Sequence, residues 1–284
     1  MIEEVAPGVF AYAHEFVEGK NGVVIGARTG LAIDCGNFDA DGEAMAAFLR
    51  AQGRTPDRLA LTHGHGDHLL GGAAFREAEI YAHALTPGVI RRQLDGWARR
   101  WETTPEDAAA RVIWPTVTFT EELRLDVGGK TVRMFPTPGH SEDGVGVLVE
   151  EHGILFAGDS VATGIAPAIG DGDSRVMEAT LGRLAEMEFA VLVPGHGPLL
   201  RGAEAIREWL LWVQSYLAGV RQCVRAALDA GADAETAIDA AAFDAFIGER
   251  LPRDRHGMPR RHRLAVEKIV SEEIAAIAAR EESR

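Results

Sequence analysis

Cysteine is nearly missing from this 284-residue chain: Cys35 and Cys223 are the only two. They lie far apart, in segments of different kind. That excludes a disulfide framework and makes a reducing compartment the expectation. Positive charge is also short: 29 Lys and Arg face 43 Asp and Glu, for a net charge of −14. Such a surface excludes nucleic acid as the main partner, because a phosphate backbone demands a basic face. A small anionic substrate drawn to a metal ion stays compatible. No apolar run approaches the ~20 residues of a membrane span. The opening residues, Met1-Ile2-Glu3-Glu4, have neither the basic nor the apolar region of a signal peptide. A soluble, cytoplasmic protein is therefore expected, with no membrane partner. No solenoid period is visible. At 46% hydrophobic residues, the chain can form one large α/β domain, alone or with an added helical lobe.

What is present in excess is histidine in one place. Within six residues, His63-Gly64-His65-Gly66-Asp67-His68 collects three imidazoles and a carboxylate, directly after Leu59-Ala60-Leu61-Thr62. Imidazole and carboxylate together are the donors of a borderline-soft divalent metal, zinc above all. A strand ending at Thr62 sends His63 and His65 to the same side, because extended backbone has period two. Asp67 and His68 then open the next helix, pointing back to the same spot.

Along the chain, residues 8–34 read as short strands separated by Gly-containing turns, and 40–52 as a helix stopped by Gly53. The resulting β-α alternation is the pattern of a layered α/β fold. Residues 84–111 break it and read as a helical insertion. Trp97 and Trp101 there share a helix face, either to pack the insertion on the body or to wall a pocket. Strands return over 117–119, 123–125 and 131–135, then a hairpin over 144–157. An acidic loop covers 163–174, followed by a helix over 174–187 and a strand over 190–193. Beyond Pro198 the pattern is helical. Ile206, Leu210, Val213, Leu217, Val220 and Val224 form one apolar stripe, suited to packing on the body or to a homodimer interface. A second helix over 234–247, a basic run over 252–263 and a last helix to about 280 complete the chain. The division expected is a catalytic unit over 1–200 and a helical region over 201–284.

Further metal-type residues recur in one setting, in a Gly-containing turn after an apolar strand: His140 after Phe135, Asp159 after Phe156, and His196 after Val193. Ends of neighbouring strands converge in space. Five histidines and two aspartates exceed the four ligands of one tetrahedral zinc, which suggests two metals sharing a carboxylate.

The series His63-x-His65-x-Asp67-His68, Gly139-His140, Gly158-Asp159 and Gly195-His196 resembles that of the metallo-β-lactamase superfamily of hydrolases, over about residues 5–200. Asp34-Cys35-Gly36 resembles the Asp-x-Gly turn those proteins carry ahead of the cluster. The resemblance implies a four-layer αβ/βα sandwich with two Zn2+ on its rim. It assigns His63, His65 and His140 to one ion, Asp67, His68 and His196 to the other, and Asp159 as bridge. Two such ions can hold a bridging water as hydroxide near neutral pH, and Asp67 is placed to orient it and pass its proton to the leaving group. Asp34 is the candidate to support an imidazole from behind; Cys35 reads as a packing residue. The helices after residue 200 resemble the C-terminal region of glyoxalase II. The expected activity is hydrolysis of an ester-type bond (thioester, lactone or carboxylic ester) in a small molecule. The alternatives are phosphodiester or β-lactam hydrolysis, or a single-iron enzyme like the persulfide dioxygenases of the same superfamily. Arg175 and the insertion arginines are candidates for a substrate carboxylate, and His262 for the pocket rim.

Overall fold

Strands whose two faces are both apolar need cover on both sides, and that requirement shapes the molecule. The computed structural model describes residues 1–169, 171–248, 250–251, 253–254 and 256–282. The first sheet holds seven strands in chain order: β1 (Ile2–Ala6), β2 (Val9–Ala13), β3 (Lys20–Ile25), β4 (Gly30–Ile33), β5 (Arg58–Ala60), β6 (Glu79–His83) and β7 (Val117–Phe119). β1 to β4 run antiparallel, and β4 to β7 run parallel. The second sheet contains β8 (Leu123–Asp126), β9 (Thr131–Pro136), β10 (Val145–Val149), β11 (Ile154–Phe156), β12 (Val191–Val193) and β13 (Leu200–Arg201). Its spatial order is β13-β12-β11-β10-β9-β8.

Side chains alternate along each strand, so each sheet feeds two cores. Leu31, Ile33 and Ala60 meet Ile154, Phe156, Val191 and Val193 between the sheets. Their neighbours Ala32 and Leu59 face outward into a core covered by α1 (Asp39–Ala51), which contributes Met45 and Leu49. The short α2 (Gly66–Leu69) follows β5. The insertion expected over 84–111 is present as α3 (Thr86–Arg100) and α4 (Pro105–Arg111), with Thr104 capping α4 through its hydroxyl. Trp97 is buried in this same core and Trp101 stacks against it, so the tryptophans pack the insertion rather than wall a pocket.

On the other side, Leu155 and Leu192 face a core closed by α5 (Ser174–Ala185) and α6 (Ala203–Asp229). The apolar stripe of α6 is buried in full within the chain's own core, which leaves it no part in a dimer interface. The segment expected as one helix over 234–247 is two, α7 (Ala234–Ala240) and α8 (Phe243–Phe246), before α9 (Met258–Glu282). The break falls at Ala241, whose carbonyl accepts a bond from His262 Nε2 at 2.6 Å. Of the basic run, Pro252 and Arg255 lie outside the described residues, as does Gly170 of the acidic loop. The whole is the expected α/β four-layer sandwich with helices added at the C-terminus. Among the described residues no helix is long and apolar enough to cross a membrane.

Candidate metal centre

β4 and β5 run parallel, as do β11 and β12, while β9 is antiparallel to β10, itself antiparallel to β11. The C-terminal ends of β9, β11 and β12 therefore open on one edge. The turns after β4 and β5 meet that edge through a backbone bond from Val145 to the Thr62 carbonyl at 2.7 Å. All seven candidate ligands follow these strand ends, five in the turns and Asp67 and His68 in the short α2 that succeeds β5. Two of the glycines that precede ligands are required. A side chain at Gly195 would stand 1.9 Å from Asp159 Oδ1. Gly139 has φ +141° and sits against the Met177 backbone, where a Cβ would fall 2.3 Å away.

The side chains gather in two groups, His63 with His65 and His140, and Asp67 with His68, Asp159 and His196. Within each group the ligand atoms lie within 4.8 Å of one another. Asp159 stands between the groups, with Oδ2 3.5 Å from His140 Nε2 and Oδ1 3.3 Å from His196 Nε2. Asp67 Oδ2 is 3.1 Å from His196 Nε2. His65 Nδ1 and His140 Nε2 approach to 2.8 Å.

Every one of the five imidazoles is held from behind. His68 Nδ1 donates to Asp34 Oδ2 at 2.8 Å, and His63 Nδ1 reaches the Thr62 hydroxyl at 3.1 Å. That hydroxyl and the Thr62 amide both donate to Asp34, at 2.7 Å. Asp34 thus supports one imidazole of each group. It does so at φ +54°, a left-handed conformation that aspartate adopts more readily than most residues. His140 Nδ1 donates to the Ala168 carbonyl, His196 Nδ1 to the Val17 carbonyl, and His65 Nε2 faces Asp171 Oδ1 at 3.0 Å. Asp143 adds a brace, accepting from the Gly64 amide and the Ser141 hydroxyl.

With their outer nitrogens engaged, the imidazoles turn the opposite nitrogens into the shared space. Among the described residues His63 Nε2, buried there, has no hydrogen-bond partner, and the buried His68 Nε2 and Asp159 Oδ1 face each other at 3.2 Å without a well-aligned hydrogen bond. Unbonded buried donors and acceptors are costly unless something fills the gap between them. Nitrogen and carboxylate oxygen in this number suit a divalent cation, with outer contacts that fix each tautomer.

The electrostatics agree. Burial drives His63 well below the usual imidazole range, and the neighbouring His68 and His65 add to it. Burial also lowers His140, against the pull of Asp159. For His68, burial is outweighed by Asp159, Asp34 and Asp67, which raise it well above the usual range. His196 is likewise raised, to about 9, by Asp159. Burial works against ionisation of Asp67, yet the His68 charge and the His196 hydrogen bond hold it at about 2. A bound cation would take the place of the protons on His68 and His196.

The edge opens into a cleft of ≈ 330 Å³ lined by Phe16, Val17, Gln93, Ile165, Ala168 and Arg261 besides the donors. Several expectations are corrected here. His262 is not on the rim; it is buried, accepting from the Tyr216 hydroxyl at 2.9 Å. Arg175 does not face the cleft but is ion-paired with the buried Glu273. His14, for which the sequence offers no motif, is buried, and neither ring nitrogen has a partner among the described residues. Cys35 is fully buried, as expected of a packing residue, with burial pushing its thiol up. Asp171, Asp143 and Arg261 were not singled out from the sequence. The one signal for Asp171 is its place in the acidic loop.

The sequence profile of the metallo-beta-lactamase superfamily matches residues 18–196, more than half of the chain. The chain belongs to that superfamily. Over 160 residues it is 36% identical to an atrochrysone carboxyl ACP thioesterase of Passalora fulva, covering 55% of this chain and 40% of that protein. Over 159 residues it is 31% identical to a hydroxyacylglutathione hydrolase of Anaeromyxobacter dehalogenans, covering 55% and 54%. The chain spans about half the length of the curated relatives it matches. Among solved structures, a metallo-beta-lactamase family protein of Thermus thermophilus superimposes with a TM-score of 0.69 at 20% identity, covering 97% of this chain and 96% of that one. That likeness is one of fold.

Proposed function

We propose that the chain is a dinuclear zinc hydrolase that cleaves an ester-type bond in a small molecule, with thioesters first among the candidates. The observation that carries this reading is the pair of donor groups whose ligand atoms crowd into one buried space while the far nitrogens of all five imidazoles are engaged. In this reading His63, His65 and His140 hold one ion, Asp67, His68 and His196 the other, and Asp159 both. Residues 1–200 carry this machinery and residues 201–284 cap it. Two ions bound there would supply the Lewis acidity that ionises a water near neutral pH and polarises the carbonyl under attack. Asp67 is the proton carrier. Its carboxylate is ionised, borders the cleft, and is anchored by His196, so it can accept the water's proton and return it to the leaving sulfur or oxygen. Asp34 and Thr62 keep His63 and His68 in the tautomer that leaves Nε2 free.

The choice of thioester is supported by the relative named as a thioesterase. No tyrosine lines the cleft among the described residues. The net charge of −14 speaks against nucleic acid, and two free thiols suit a reducing cytoplasm. The test is a panel of thioester, lactone, aryl ester, phosphodiester and β-lactam substrates on zinc-loaded protein. Thioester turnover that stops on chelation and returns with zinc is expected. One bound iron with thiol-dependent oxygen uptake would instead establish the dioxygenase chemistry.

A further inference from the structure

On the reading that the His/Asp edge is hydrolytic, we infer that Arg261 selects substrates bearing an anionic group beside the cleaved bond and an apolar tail beyond it. Arg261 stands in the first turn of α9, on the boundary between two spaces. It lines the metal-edge cleft, and it lines an adjoining cavity of ≈ 220 Å³ with Ala168, Ile169, Leu264 and Ala265. Ala168 is the other wall the two spaces share. A substrate reaching from the edge into the side cavity must pass the guanidinium.

Among the described residues the charge there has no counter-ion. Arg261 is half-buried, and its Nε donates to the His256 carbonyl at 3.0 Å. Among the described residues no carboxylate pairs with it. Several arginines of the helical region are paired, Arg253 with Asp244, Arg263 with Glu235 and Arg221 with Glu178, and those that have no ion pair among the described residues, Arg207, Arg260 and Arg280, are exposed where Arg261 is half-buried. In a chain with 43 acids against 29 bases, carboxylates were available, and none among the described residues covers this position. A half-buried guanidinium is best satisfied by an oxyanion that takes two of its parallel N–H groups at once. A carboxylate and a phosphate share that chemistry.

The side cavity supplies the second half of the specificity. Its other walls are carbon, and Leu264 is left 53% exposed. An apolar tail laid over it would remove that surface from water. The arrangement is also held in place. His256 Nε2 meets Glu18 Oε1 at 2.9 Å, tying the approach to α9 to the turn that carries Phe16 and Val17, which also line the cleft.

The test separates binding from turnover. Calorimetry on the zinc-loaded full chain would compare three non-cleavable S-octyl thioethers, bearing a carboxylate, its methyl ester, or a phosphate. Wild type should bind one or both anionic forms ~10–100-fold more tightly than the ester, as for a charge-assisted hydrogen-bonded pair. The better of the two anions identifies the source. Arg261→Gln should abolish the preference without loss of zinc, Arg261→Lys should restore part of it, and the octyl chain should outbind a methyl in both. A preference that survives Arg261→Gln, or a wild type without one, overturns the inference. Turnover of the matching thioesters is measured alongside. If none is cleaved, the hydrolase reading fails, while the binding comparison still decides the role of Arg261.

Discussion

The metal edge and the cap above it are built in opposite ways. At the edge, every donor follows a buried strand, and every imidazole has its far nitrogen engaged, by a side chain or by a backbone carbonyl. Each position is fixed several times over. The cap consists of the turn at residues 16–18 and the start of α9. It rests on two residues of positive φ, Val17 (φ 50°) and Glu18 (φ 54°), on the bond from His256 to Glu18, and on exposed apolar side chains at Phe16 and Leu264. The difference teaches where chemistry and selectivity are stored. Turns anchored on strand ends hold atoms rigidly enough for catalysis, while the start of α9, which holds none of the donors, can vary without disturbing them.

If the edge alone carries the chemistry, Asp67→Ala should have the largest effect. Loss of the proton carrier should lower turnover by roughly 10²–10⁴, with the fold intact by circular dichroism. Hydrolysis near the wild-type rate would break the comparison at its strong end. Next is Asp34→Ala, which frees one imidazole in each donor group. Metal affinity should fall by about 10–100-fold, read by competition with a chromogenic chelator. A drop confined to one of the two ions would show that Asp34 serves one group and not both.

His14 sharpens the contrast from beneath. Burial, with His68 and His196 nearby, lowers it to about 4, whereas unfolded it titrates near its ordinary value of about 6.5. The unfolded state thus binds the extra proton first. The stability tied to neutral His14 is full above pH 6.5 and is lost as pH falls toward 4, on the order of 3 kcal/mol in all. Neither ring nitrogen has a partner, so His14→Phe should be nearly neutral at pH 7.5 and should flatten the acid limb of a urea-midpoint profile. An unchanged profile would refute the assignment. The smallest effect belongs to Asp171→Asn. This carboxylate is drawn down to about 2 by its hydrogen bond with His65, but its side chain is 44% exposed. Solvent screening leaves such a pair about 0–1 kcal/mol, so metal affinity should change by no more than a few-fold, measured in the same chelator assay.

The same contrast explains what could be read from the chain beforehand. His63 to His68, His140, Asp159 and His196 stand in short motifs at strand ends, and the glycines beside them are demanded by close backbone approach, so both leave marks in sequence. The partners of His140 and His196 are the carbonyls of Ala168 and Val17; any residue type supplies a carbonyl, so no mark is left. Asp171 lies 106 positions from His65 and is one acid among several in its loop. Arg261 is one of several arginines in a basic run, and only the packing of α9 turns it, rather than His262, toward the cleft. The break between α7 and α8 has no Gly or Pro to announce it; what marks it in the structure is the bond from His262, 21 positions away, to the Ala241 carbonyl.

The most direct test of the central claim is elemental analysis of zinc-supplemented, dialysed protein beside the double variant His63→Ala/His68→Ala. About two zinc ions per wild-type chain, with both sites depleted in the variant, is the expected result. Less than one ion in wild type, or two that persist in the variant, would contradict a paired metal centre on this edge.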